Sequence, residues 1–153
     1  SSDLMDFATP DLTQNPPRSP RTKLGGYVML PRLIDKCRGQ IAGKNGEYHY
    51  GCPLDNRWFE FAGVDQLELK GEIESGAGDA EILKWIGSNA KNSPSVLEIE
   101  SWSRHQEQRV SGDHDSREFF NELHAAAAKH REDIQTWFDL LDLDDFVTFG
   151  GKA

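Results

Sequence analysis

Hydrophobic positions in this chain recur at helical spacing in one block after another. In residues 31–46, PRLIDKCRGQIAGKNG, the side chains of Leu33, Ile34, Cys37 and Ile41 form one apolar stripe. Pro31 suits a first helical turn, and Gly43 or Gly46 supplies the stop. Arg32 and Lys36 stand at i and i+4 on the other side, which is expected to be wet. In residues 52–63, CPLDNRWFEFAG, Pro53 opens a short aromatic helix with Trp58, Phe59 and Phe61, and Gly63 closes it. Residues 64–76 are ambiguous: Asp65 and Glu68 have capping-box spacing, while Leu67 and Leu69 alternate as in a strand.

The later blocks are plainer. Asp79 reads as the cap of a helix with Ile82, Leu83, Trp85, Ile86 and Ala90 on its apolar face. Ser93 and Pro94 read as the start of the next, with Val96, Ile99 and Trp102 inward. Asp115 and Glu118 introduce a helix with Phe119, Phe120, Leu123, Ala126 and Ala127 on one side. Residues 133–141 place Ile134, Trp137, Phe138 and Leu141 at i, i+3, i+4 and i+7. The tail from Asp142 reads as a turn and a short extended piece.

Residues 1–23 have four prolines and no sustained period, which predicts an extended arm, with Leu12 and the arginines able to pin its second half. About six short helices with short links and no second set of hydrophobic strands predict an all-α fold. The expectation is a compact single-domain bundle over residues 24–153, behind the Pro-rich arm.

Composition adds limits. The chain has 153 residues, 37% hydrophobic and 28% charged, enough for one ordinary globular core. No apolar run is long enough to span a bilayer, and the first residues carry no basic-then-apolar secretory pattern. Two cysteines make no disulfide framework, so a reduced, cytoplasmic protein is expected. The net charge of −9 disfavours nucleic acid and anionic membranes as partners. The charge is uneven, however. Arg18, Arg21, Lys23, Arg32, Lys36, Arg38 and Lys44 face only Asp35 within their own stretch, while acids dominate from Gly51 onward. The basic stretch therefore either binds an anion or folds back onto the acidic body; the second needs no ligand.

Candidate chemistry gathers in residues 46–55, GEYHYGCPLD. If Pro53 opens a helix, Cys52 is its N-cap, where a thiol is activated, with His49 near enough to act as a base. Asp55 opposes that activation by its charge. Cys37, on an apolar stripe, reads as a core thiol. Metal binding is not expected: Glu47, His49 and Cys52 lack the further ligands of a zinc set, and DLLDLDD lacks the Gly and closing Glu of an EF-hand. The glycine clusters match no phosphate loop, so no cofactor is expected. Asp139, Asp142, Asp144 and Asp145 read as helix-end acids facing Arg18 or Arg21.

The stretches PPRSPR, LGGYVMLPRLIDKCRG, AGKNGEYHYGCPLD, ILKWI and TWFDLLDLDD with the later FGGK resemble a bacterial family catalogued as a domain of unknown function, number five thousand and sixty-nine of its series. The likeness runs from about Asp11 to Ala153. It implies a small helical bacterial cytosolic protein and transfers no catalytic residue. Cys37 stands where a small residue is expected from that pattern. The motifs cluster in residues 16–55, outside the plain helical stripes, which points to a site there.

Two functional readings follow. In the first, the chain binds or acts on a small anionic metabolite. Arg18, Arg21, Arg32 and Lys36 hold the anion, Tyr48 and Tyr50 wall the pocket, and His49 is acid or base with Glu47 or Asp55 fixing its tautomer, beside Cys52. In the second, the chain is a non-enzymatic protein-interaction or regulatory module that uses its acidic helical surface or its Pro-rich arm. Oligomeric state leaves no mark in the sequence.

Overall fold

The computed structural model describes residues 10–153. The first nine residues of the expected arm lie outside that range. Among the described residues there are seven helices and one small hairpin, so the fold is mostly helical rather than wholly so. No helix among them is long and apolar enough to cross a membrane.

The hairpin pairs β1 (Lys23–Leu24) with β2 (Tyr27–Val28), antiparallel, with Leu24 opposite Tyr27. Gly25 and Gly26 make its turn with φ of 58° and 84°, the doubly left-handed geometry of a two-residue hairpin loop. Two-residue strands are too short for any alternation to show in a sequence. Ser103 holds the hairpin down: its hydroxyl accepts from the Val28 amide at 3.1 Å and donates to the Gly26 carbonyl at 2.6 Å.

Helix α1 (Leu30–Ile41) is the centre of the molecule. Every residue from Leu30 to Gly39 is buried, including Arg32, Asp35, Lys36 and Arg38. The expected wet face of Arg32 and Lys36 is therefore corrected. A helix enclosed on all sides has no solvent face, and its polar side chains are tolerated because each finds an opposite charge. Met29, at φ 71°, forms the left-handed entry to α1.

Helices α2 (Pro53–Ala62) and α3 (Gln66–Glu74) follow. Asp65 caps α3, accepting from the amides of Leu67 and Glu68, both at 3.0 Å, which settles the helix-or-strand ambiguity as helix. Leu69 and Ile73, at i and i+4, are buried, while Leu67 is exposed. Helix α4 (Asp79–Asn89) has Gly78 rather than Asp79 at its N-cap, with Glu81 reaching back to the Gly78 amide. Trp58, Phe59, Leu69, Ile73, Ile82 and Ile86 close around Leu33, Ile34 and Cys37 as the main core.

Helix α5 (Val96–Gln108) starts two residues later than expected, capped by Ser95. That shift puts Val96 at the first helical position, 83% exposed rather than inward. Helix α6 (His114–Ala128) is capped by Asp113 rather than Asp115. Only part of its expected apolar face is covered: Phe120 is fully buried, whereas Phe119 and Leu123 are exposed.

Helix α7 (Trp137–Thr148) differs most from the sequence reading. Ile134 precedes it, and the expected turn after Leu141 is helical through Thr148. Acids in the C-terminal half of a helix oppose its dipole. Here Asp142 and Asp145 are instead held by Arg21 and Arg32 from elsewhere in the chain, while Leu140, Leu143 and Val147 pack with Phe120 on α6.

Candidate functional site

The basic stretch turns inward and pairs with the chain's own acids. Arg18 meets Asp35 through its backbone amide, Nε and Nη2 at 2.9, 3.0 and 3.0 Å, and meets Asp79 through Nη1 at 2.7 Å. Arg38 also reaches Asp79, at 3.0 Å. Arg21 pairs with Asp139 and Asp142 on α7. Arg32 forms a two-pronged pair with Asp145, and Lys36 lies 2.8 Å from Asp55. Lys23 approaches Glu107 at 3.6 Å. The structure thus realises the fold-back arrangement, in which these charges are matched within the protein.

A pocket of about 550 Å³ opens where α1, α2, α7 and the loop 43–52 meet. Of the residues singled out from sequence, Arg32, Lys36, Glu47, Tyr48, His49 and Cys52 line it. Arg18, Arg21 and Tyr50 do not. The two arginines are committed to α1, α4 and α7, and Tyr50 faces the core, its hydroxyl donating to the Gln66 carbonyl at 2.6 Å and its ring edge-on to Phe59. Burial pushes Tyr50 well above the usual phenol value.

The loop owes its path to glycine and to the arm. Gly43, Gly46 and Gly51 all have positive φ. Leu12, buried from the arm, donates its amide to the Lys44 carbonyl at 2.8 Å, and its own carbonyl presses against Gly46. Tyr48 is then set against α7: its hydroxyl donates to Asp145 at 2.7 Å and its ring stacks on Phe149. The Arg32 guanidinium lies over the Tyr48 ring, 5.5 Å from its centroid. Burial and the Asp145 carboxylate both hold Tyr48 far above its ordinary value, so its proton stays on. For Arg32, burial pulls the other way but the bond to Asp145 outweighs it, and the guanidinium stays charged.

Cys52 is the N-cap of α2, in extended backbone geometry, with no capping bond from its side chain. Lys36 Nζ donates to Cys52 Sγ at 3.4 Å and to Asp55 Oδ1 at 2.9 Å. Asp55 Oδ2 accepts from the Gly51 amide at 3.0 Å, so this carboxylate does the work of closing the turn. His49 and Glu47 are exposed at the rim. No hydrogen bond joins His49 to Glu47 or Asp55, because Asp55 is already taken by Lys36 and Gly51. The expected tautomer-fixing pair is therefore corrected.

The apolar wall comes from residues that the sequence reading left out, among them Met29, Leu54, Leu141 and Phe149. Asp144 joins them at the rim, raised above the ordinary carboxylate value by burial and by neighbouring Asp145. Their assembly depends on α7 running past Leu141, which nothing in the local pattern announced. Cys37, by contrast, is sealed in the core, and burial pushes its thiol up to about 12. Among the described residues no group of three or more His, Cys, Asp or Glu side chains is gathered so as to hold a metal ion.

No curated protein matches the chain. The sequence model of the family described as Domain of unknown function (DUF5069) matches residues 14–147, which takes in the arm's arginines, the pocket and nearly all of α7. The chain belongs to that family.

Proposed function

We propose that this chain binds a small molecule in the pocket between α1, α2, α7 and the loop 43–52. One observation carries the reading: a single cavity of about 550 Å³ is lined at once by Arg32 and Lys36, by Tyr48, His49 and Cys52, and by Leu141 and Phe149, which come from three separate parts of the sequence. That volume falls in the range of about 300–1,000 Å³ usual for ligand sites. Its make-up, an apolar wall with a few convergent polar groups, is also that of a ligand site.

The charge of the ligand follows from what is left unspent. Arg32 and Lys36 already face Asp145 and Asp55, and Glu47 and Asp144 add acidic groups at the rim. A bare anion would have to displace a buried carboxylate, which costs more than one new contact returns. The ligand that suits this cavity is mainly apolar with a hydrogen-bonding edge, its body against Met29, Leu54 and Leu141 and its polar edge at His49. His49 has no competing partner among the described residues and can give or take a proton there. Cys52 places a thiol on the same wall, polarised by the Lys36 ammonium.

The test is a thermal-shift screen of neutral and amphipathic metabolites against the full chain, with each hit repeated on His49→Ala. A ligand in the pocket stabilises the wild type more than the variant and slows labelling of Cys52 by a thiol reagent. Hits that ignore both His49 and Cys52, or a screen without hits, overturn the proposal.

A further inference from the structure

Beside that pocket lies a second hollow of about 450 Å³, bounded by α2, α6, α7 and the end of α5. Its floor is apolar: Leu123 and Phe119 from α6, Trp137, Leu140 and Leu141 from α7. Phe119 and Leu123 are 55% and 42% exposed, so an apolar strip of α6 is left uncovered at this place. The rim carries two arginines, Arg57 and Arg109.

These arginines differ from those of the basic stretch. Among the described residues neither is in an ion pair. Among the described residues the Arg57 side chain donates only through Nε, to Gln106 Oε1 at 3.0 Å. Gln106 is itself buried, so it steers the guanidinium without neutralising it. Arg109 is fixed through its backbone, its carbonyl accepting from the Trp137 amide at 3.1 Å. Partial burial and the nearby Arg57 charge pull Arg109 below its ordinary value. Asp144 also lines the hollow, but it pairs with neither arginine, and its charged neighbours are Asp145, Arg32 and Glu47. In a protein of net charge −9, the two arginines thus form a positive site with no ion-pair partner of their own among the described residues. Guanidinium groups bind carboxylates through paired, charge-assisted hydrogen bonds.

We infer that this hollow binds an amphipathic carboxylate, with the hydrocarbon on Phe119, Leu123 and Trp137 and the carboxylate between Arg57 and Arg109. The apolar floor alone would accept any hydrocarbon, and the arginines alone any anion; their juxtaposition selects a molecule that has both.

The test titrates octanoate, octanol and octylammonium into the full chain by calorimetry at low salt. Octanoate is expected to bind at least tenfold more tightly than octanol, and octylammonium most weakly. Arg57→Gln and Arg109→Gln each weaken octanoate about tenfold and leave octanol unchanged. Leu123→Asp weakens both. His49 lines the neighbouring pocket and not this hollow. Octanoate binding that His49→Ala weakens and both arginine variants spare therefore belongs to that pocket and overturns the inference, whereas binding that the arginine variants weaken and His49→Ala spares belongs to this one. Circular dichroism and melting curves check each variant; should Arg57→Gln disturb packing at Gln106, Arg109→Gln alone decides. Octanol binding as well as octanoate, octanoate binding that survives both arginine variants, or no octanoate binding overturns the inference. So does self-association that Phe119→Asp abolishes, which would give the strip to a second copy of the chain.

Discussion

Arg32 and Asp145 stand 113 positions apart in sequence and face each other across 2.7 and 3.2 Å, Nη1 to Oδ2 and Nη2 to Oδ1. Both side chains are under a tenth exposed. The pair joins the central helix α1 to the end of α7, and Tyr48 adds a third bond to the same carboxylate. Arg32 lines the candidate pocket, and its pair with Asp145 is also a device that holds α7 in place.

Breaking one side of this pair leaves a buried charge alone. Arg32→Met or Asp145→Leu is expected to cost about 3–5 kcal/mol, and the double variant clearly less than the sum. Urea unfolding of the four proteins gives the coupling directly. Additive losses would mean that the pair contributes nothing as a unit.

Asp79 makes stability depend on acid pH. Burial alone would raise its carboxyl, but Arg18 and Arg38 outweigh that and hold it below 3.8. The unfolded chain then takes up this proton more readily than the folded one, so the stabilisation is complete above about pH 4–5 and is lost as pH falls through 3.8 towards the folded value. In urea titrations from pH 6 to pH 2, Asp79→Asn is expected to start less stable and to fall less steeply than wild type. Parallel curves would exclude Asp79 as a source of the slope.

The two thiols are expected to behave oppositely. Cys52 is partly exposed on the pocket wall and Cys37 is sealed in the core. A chromogenic disulfide reagent should titrate one thiol in the native protein and two in denaturant, and Cys52→Ser should remove the native signal. Burial also raises the Cys37 thiol towards 12, so above its ordinary value of 9 the unfolded chain ionises first and stability declines with rising pH.

Glycines divide by their surroundings. Gly46 has φ 55°, and a Cβ there would lie 2.9 Å from the Leu12 carbonyl oxygen, so Gly46→Ala is expected to lose more than about 1 kcal/mol. Gly71 sits inside α3 with open space around it, so Gly71→Ala is expected to gain about 0.5–1 kcal/mol. Thermal melts of both variants check the sign.

Apolar period and caps locate most of the helices, though not every boundary. Leu33, Ile34 and Cys37 mark α1 and enter the core, and Pro53 and Gly63 bracket α2, whereas the spacing of residues 64–76 suits helix and strand alike and only the Asp65 cap seen in the structure makes it α3. These are local signals: one turn of backbone and one side chain suffice to satisfy them. The polar half of the molecule obeys no such local rule. Arg32 and Lys36 have the spacing of a solvent face, yet they are buried, because the acids that neutralise them arrive from α2 and α7. The acids after Leu141 have the composition of a turn, yet they continue a helix, because Arg21 and Arg32 hold their charge. The pocket, and with it the role of Asp144, Leu141 and Phe149, exists only once those distant partners have met. Opposite charges attract over space and not along the chain, so their pairing was decided by the tertiary fold alone.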